Sequence, residues 1–113
     1  MMESIMESAE ANRRLVGIAN AILHGEMNLI EGCRIICSLR YETSKPDHSA
    51  FLPIRAIESE TDHYPVAENR SQYAPEYLRR VDAEMEGYLV ESKHDILAAC
   101  RELVQVFGWA EAP

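Results

Sequence analysis

No apolar run in this chain approaches the roughly 20 residues that a membrane-spanning helix needs, so a membrane protein is not expected. Glycine is sparse and scattered: five residues, none grouped, which excludes a glycine-rich loop cradling phosphates. Basic residues are few, 11 against 19 acids, and they are dispersed. A formal net charge of -8 repels nucleic acid and anionic membrane, so neither is an expected partner. Cysteine occurs three times, and an odd count argues against a disulfide framework. The opening Met1-Met2-Glu3 is acidic and lacks a basic region followed by an apolar core, so no secretory signal is read and a cytoplasmic location is expected.

What remains is an ordinary globular composition over 113 residues, enough for one core, so residues 1–113 are read as a single domain. The acidity is uneven. From Glu58 onward there are 12 acids against 5 bases, and before it 7 against 6, so the excess belongs to the centre and the last helix.

Helical periodicity dominates. A first helix is expected over residues 3–24, where Ile5, Ala9, Val16, Ala19 and Leu23 recur at helical steps and Leu15, Ile18 and Ile22 widen the stripe. Gly25 reads as its left-handed stop. Asn28, with Glu31 three places on, reads as the N-cap of a second helix carrying Leu29, Cys33 and Ile36, with Arg40 in register. The short link makes the two helices antiparallel neighbours. Cys33 and Cys37 share a face of that helix and are expected to be reduced, buried and slow to react.

Thr43 to Asp47 is turn chemistry. A third, shorter helix follows, with Ser49 as N-cap, Pro53 in its first turn and Phe51, Ile54 and Ile57 facing the core; a short strand over 50–57 is the competing assignment. Residues 65–74 lack periodicity. Pro75 opens another helix, which either restarts at Asp82 or runs on with a bend at Gly87. Met85, Leu89, Ser92, Ile96, Ala99, Leu103 and Phe107 form its stripe, and Gly108 ends it. The expected fold is an all-α bundle of four to five helices around a central polar loop.

That centre, Glu58-Ser59-Glu60-Thr61-Asp62-His63-Tyr64, is the chain's unusual stretch. Ser59-x-x-Asp62 has the form of a capping box, which makes the stretch a polar latch holding the loop to the bundle. The same side chains offer oxygen and nitrogen ligands for a metal or small ligand, yet no Glu-x-x-His or His-x-x-x-His spacing places two on one helical face. Ser59, Asp62 and His63 also have the residue types of a hydrolase. They are too close in sequence to form a triad, and no Gly-x-Ser-x-Gly elbow exists. No catalytic residue, metal ligand or cofactor is therefore assigned. Along the last helix, Asp82, Glu84, Glu86, Glu91 and Asp95 read either as a solvated face or as a docking face for a basic, toxin-like protein partner.

Phe51 to Pro65, together with Ile30-Glu31-Gly32, Tyr73-Ala74-Pro75-Glu76 and Ala98-Ala99-Cys100, resembles a family of small bacterial proteins known as a domain of unknown function. The resemblance spans about residues 20 to 105, and its specific part is Ser-Glu-Thr-Asp-His-x-Pro. It implies no established activity; it directs attention to Ser59, Glu60, Thr61, Asp62 and His63. The expected function is a non-enzymatic protein-binding domain, with an immunity-type inhibitor of a basic toxin as its most specific form. A metal- or ligand-binding module and a hydrolase-like enzyme are the alternatives.

Overall fold

The computed structural model describes the backbone of residues 2–108 and the side chains of residues 8–66 and 68–108. Ile5, expected on the stripe of the first helix, lies outside the described side chains. The architecture is all-α. Helices α1 (Met2–Leu23), α2 (Leu29–Leu39), α3 (Leu52–Glu60) and α4 (Pro75–Gly108) are joined by three 3-10 segments, Arg40–Glu42, Ser49–Phe51 and Ala67–Gln72. Among the described residues there is no strand, so residues 50–57 are helical.

Each boundary has a local cause. After α1, Gly25 takes φ 72°. Its N–H donates to Ile22 O at 3.2 Å, and the Glu26 N–H donates to Ala21 O at 2.8 Å. These are the two bonds of a Schellman stop. Asn28 then caps α2, its Oδ1 accepting from the N–H groups of Ile30 (3.0 Å) and Glu31 (3.1 Å). The cap before α3 is His48 rather than Ser49: His48 Nδ1 accepts from the Ala50 N–H at 3.0 Å. The ring nitrogen takes the N–H two residues on, so the cap falls one residue earlier than the serine expected for it. Pro53 sits in the first turn of α3, where its missing N–H costs nothing.

The core gathers Leu15, Ala19 and Ile22 of α1, Cys33 and Ile36 of α2, Phe51, Ile54 and Ile57, and Ile96, Ala99, Cys100, Leu103 and Phe107 of α4. The rings of Phe51 and Phe107 meet at 5.5 Å between centroids. Asn12 is buried on α1, where its amide donates to Ser44 Oγ and accepts from the Ser44 N–H, both at 3.1 Å. The turn after α2 is thereby fixed to α1.

α4 runs unbroken through Asp82 and Gly87, so of the two readings the helix runs on rather than restarting at Asp82. Its 34 residues rise about 51 Å at about 1.5 Å each, matching the molecule's longest dimension of 51 Å. Val81 and Met85 are buried outside the main cluster, towards its N-terminal end.

Two glycines make opposite demands. A Cβ on Gly32 would lie 2.6 Å from Ile22 Cγ1 and closer still to Cδ1, whereas one on Gly87 would meet nothing within 4 Å. Gly32→Ala is therefore expected to destabilise the fold by about 1–3 kcal/mol, the range for overpacking a filled core. Gly87→Ala is expected to stabilise it by up to about 1 kcal/mol through helix propensity. Denaturant midpoints check both signs, and equal shifts would contradict the close α1–α2 approach.

Candidate functional site

The polar centre is built where α3 stops. Thr61 is buried, and its N–H and Oγ1 both donate to Ile57 O, at 3.0 and 2.7 Å. The next bond comes from α2. Arg34 Nη2 donates to Thr61 O at 2.6 Å and to Tyr64 O at 2.8 Å, gathering two carbonyls of the departing chain on one guanidinium nitrogen. The Tyr64 N–H closes the turn onto Thr61 O at 3.0 Å.

From there the chain is tied to α4. Tyr64 OH donates to Asp82 Oδ1 at 2.6 Å. Arg70 meets the same carboxylate with two nitrogens, Nη1 to Oδ1 at 2.9 Å and Nη2 to Oδ2 at 2.6 Å. This planar two-point pairing fixes orientation as well as charge. Arg70 Nη1 also donates to Tyr64 OH at 3.1 Å and to Pro65 O at 3.3 Å. The hydrogen bonds from Arg70, then that from Tyr64, hold the Asp82 carboxyl below the usual carboxylate range. Partial burial, followed by the Asp82 hydrogen bond, raises the Tyr64 hydroxyl, so it stays protonated as the donor. A second tie joins α3 to α4 where Tyr88 OH donates to Glu60 Oε2. Burial and that carboxylate raise the Tyr88 hydroxyl. The Tyr73 and Tyr77 rings stack at 5.3 Å where the loop meets α4.

The residues expected to carry chemistry are dispersed by this geometry. Ser59 lies inside the last turn of α3, and Ser59, Asp62 and His63 are all exposed. The Ser59–Asp62 capping box is thus not formed. That pattern caps a helix start, and here it falls on a helix end, where carbonyls rather than N–H groups need partners. Thr61, Tyr64 and Glu60 are joined into the network, while Glu58 is half-buried on the side facing α2. Among the described residues, no three His, Cys, Asp or Glu side chains are grouped to hold a metal ion.

Asp82 is drawn out of the expected acidic face by Arg70. Glu84, Glu86, Glu91 and Asp95 are exposed. Cys33 and Cys100 are buried and Cys37 half-buried, all three unpaired. Burial, first of all, pushes their thiols up to about 12, 11 and 11 for Cys33, Cys100 and Cys37. At neutral pH each is the weakly nucleophilic thiol. Sequence reasoning missed Arg34, Arg70 and Asn12, whose partners lie 27, 12 and 32 positions away in the chain. No local pattern announces them.

Residues 4–103 match a family described as proteins of unknown function, DUF2489. The chain belongs to that family. No curated protein and no solved structure matches it. Among the described residues, no helix is long and apolar enough to cross a membrane.

Two outcomes test the network. Arg34→Met is expected to lower stability by about 1.5–3 kcal/mol, the worth of hydrogen bonds from a charged donor, while Asp62→Ala leaves the denaturant midpoint unchanged. The reverse order would restore the Ser59–Asp62 box. The second outcome concerns acid. Because the folded carboxyl of Asp82 is depressed, its contribution is complete above the ordinary aspartate value, about 3.9. It is lost as pH falls through the lower folded value. Asp82→Asn should therefore flatten the loss of stability below about pH 4, read from denaturant midpoints against pH. An unchanged slope would show that this pair does not couple folding to pH.

Proposed function

We propose that this chain is a non-enzymatic protein-binding domain whose α4 offers an acidic face to a basic partner. The observation that carries the reading is a matter of phase. At about 100° per residue, Glu84, Glu91 and Asp95 fall within about 40° of one another on an unbroken helix, with Glu102 in line. All four are exposed. Glu86 stands about 200° away and belongs to a different surface. The docking face is accordingly narrower than the whole acidic helix, without Asp82 and without Glu86.

A ridge of like charge on a continuous helix raises the rate at which an oppositely charged protein arrives. An immunity-type protein neutralising a basic toxin is the most specific form of this reading. A cytoplasmic location accords with it, since three unpaired cysteines stay reduced there. Neither the ligand-binding nor the hydrolase reading of Glu58–His63 has an assembled set of groups in its favour, with Ser59, Asp62 and His63 all turned to solvent.

The test is association kinetics, at low and high salt, with a partner captured from the native host. Glu84→Lys with Glu91→Lys should slow association about tenfold or more at low salt, and the difference should shrink as salt rises. Glu86→Lys should have a much smaller effect. A rate indifferent to salt and to the double reversal would overturn the docking face.

A further inference from the structure

A groove of about 670 Å³ lies between α2 and α3. Its walls repeat at helical steps of three and four: Arg34, Cys37 and Tyr41 from one side, Leu52, Arg55 and Ser59 from the other. Arg40 also lines it, and Glu58 is the only acid that does. Three guanidinium groups against one carboxylate leave a local excess of two positive charges on a chain whose net charge is -8.

These arginines are poorly neutralised. Arg34 gives Nη2 to two backbone carbonyls, which satisfy hydrogen bonds but carry no charge. Its Nη1 and Nε groups are left over. Among the described residues, neither Arg34 nor Arg55 has an acid within ion-pair distance, although the chain holds 19 of them. Arg40 is buried, donates to Pro46 O at 2.7 Å and lies 4.2 Å from the Tyr41 ring centre. Its one carboxylate, Asp47, is 3.7 Å away and fully exposed, where pairing is weak. Arg34 is half-buried without a counter-charge, which is costly, and an arriving anion removes that cost; Arg55 is exposed and adds a second cation at the groove. Arg34 is already held in place from behind, so little ordering remains to oppose binding. Tyr41 and Leu52 are 73% and 58% exposed at the same groove, an apolar flank beside the cationic wall.

We infer that the α2–α3 groove is a binding site for a small organic oxyanion, a phosphomonoester or carboxylate carried on an apolar group. Arg34 and Arg55 grip the oxyanion, and Tyr41 and Leu52 cover the apolar part. The planar forks of arginine match phosphate and carboxylate oxygens two at a time. The volume falls in the range of about 300–1,000 Å³ common for small-molecule sites. The site is separate from the α4 face, so either can fail alone.

The probes are phenyl phosphate, benzoate and inorganic phosphate, titrated calorimetrically into the full chain. Phenyl phosphate or benzoate should bind saturably and more tightly than inorganic phosphate, and whichever binds better identifies the oxyanion. Arg55→Glu should weaken that binding about tenfold or more, the scale of a lost charge-assisted hydrogen bond. Arg101→Glu, the same charge change on exposed α4, should leave it unaltered. Arg55→Gln repeats the test without adding a negative charge, should the glutamate variant not fold. Cys37 supplies a second readout, because the bound anion should slow its labelling by iodoacetamide, a neutral reagent. Absence of saturable binding for every probe at about 10 mM would overturn the inference. So would equal weakening by Arg55→Glu and Arg101→Glu, which would reduce the effect to net charge.

Discussion

One guanidinium nitrogen sets the path of the chain through the middle of the molecule. Arg34 Nη2, carried by α2, donates to the carbonyls of Thr61 and Tyr64 at 2.6 and 2.8 Å and so holds the chain where it leaves α3. α3 has only nine residues, well short of the roughly 12–15 at which an isolated helix becomes marginal. Its stability comes from Ile54 and Ile57 in the core at one side and from that guanidinium at its end. Where α3 stops decides where Tyr64 stands, and Tyr64, with Arg70 of the loop, in turn ties the loop to Asp82 on the flank of α4. α2, the end of α3, the loop and α4 are thus coupled through four side chains. Arg34 also lines the groove, so the residue that holds the end of α3 belongs to the groove's cationic wall.

Much of the fold was legible because its signals are local. Three- and four-residue apolar spacing placed Leu15, Ile22, Ile36, Ile54, Ile96 and Phe107 in the core. Gly25 and Asn28 marked a stop and a start, since both act within four or five residues of chain. The misreadings share a cause as well. Ser59-x-x-Asp62 was read as a cap from its letters, but a cap depends on whether the helix begins or ends there. Ile54 and Ile57 in the core, and Arg34 on the carbonyls of Thr61 and Tyr64, put the end at that spot. Ser49 lost its role to His48 by one residue, well within the reach of an imidazole nitrogen.

The candidate sites were less legible than the fold. Asp82 looked like one acid among five until Arg70, 12 residues earlier, was seen to occupy both its oxygens. Glu84, Glu86 and Glu91 looked like one face because they are close in sequence, yet helical phase divides them. Neither Arg34 nor Arg55 stood out in a chain read as acidic, because composition averages over the surface. They come together only when α2 and α3 lie side by side, where, among the described residues, no carboxylate stands within ion-pair distance of either.

A net charge of -8 and a groove that attracts anions are compatible for a physical reason. At physiological ionic strength, charges separated by more than about 8 Å in solvent are largely screened from one another. In the proposed function, the acidic ridge of α4 would steer the approach of a charged protein, an effect that weakens as salt rises. Binding in the α2–α3 groove depends instead on contacts at hydrogen-bond distance, made by Arg34, which is half-buried, and Arg55, which is exposed. Screening acts little over such distances, and partial burial strengthens the contact made by Arg34. The two surfaces should consequently differ in character: the helix face sensitive to ionic strength and tolerant of position, the groove tolerant of ionic strength and sensitive to which arginine is changed.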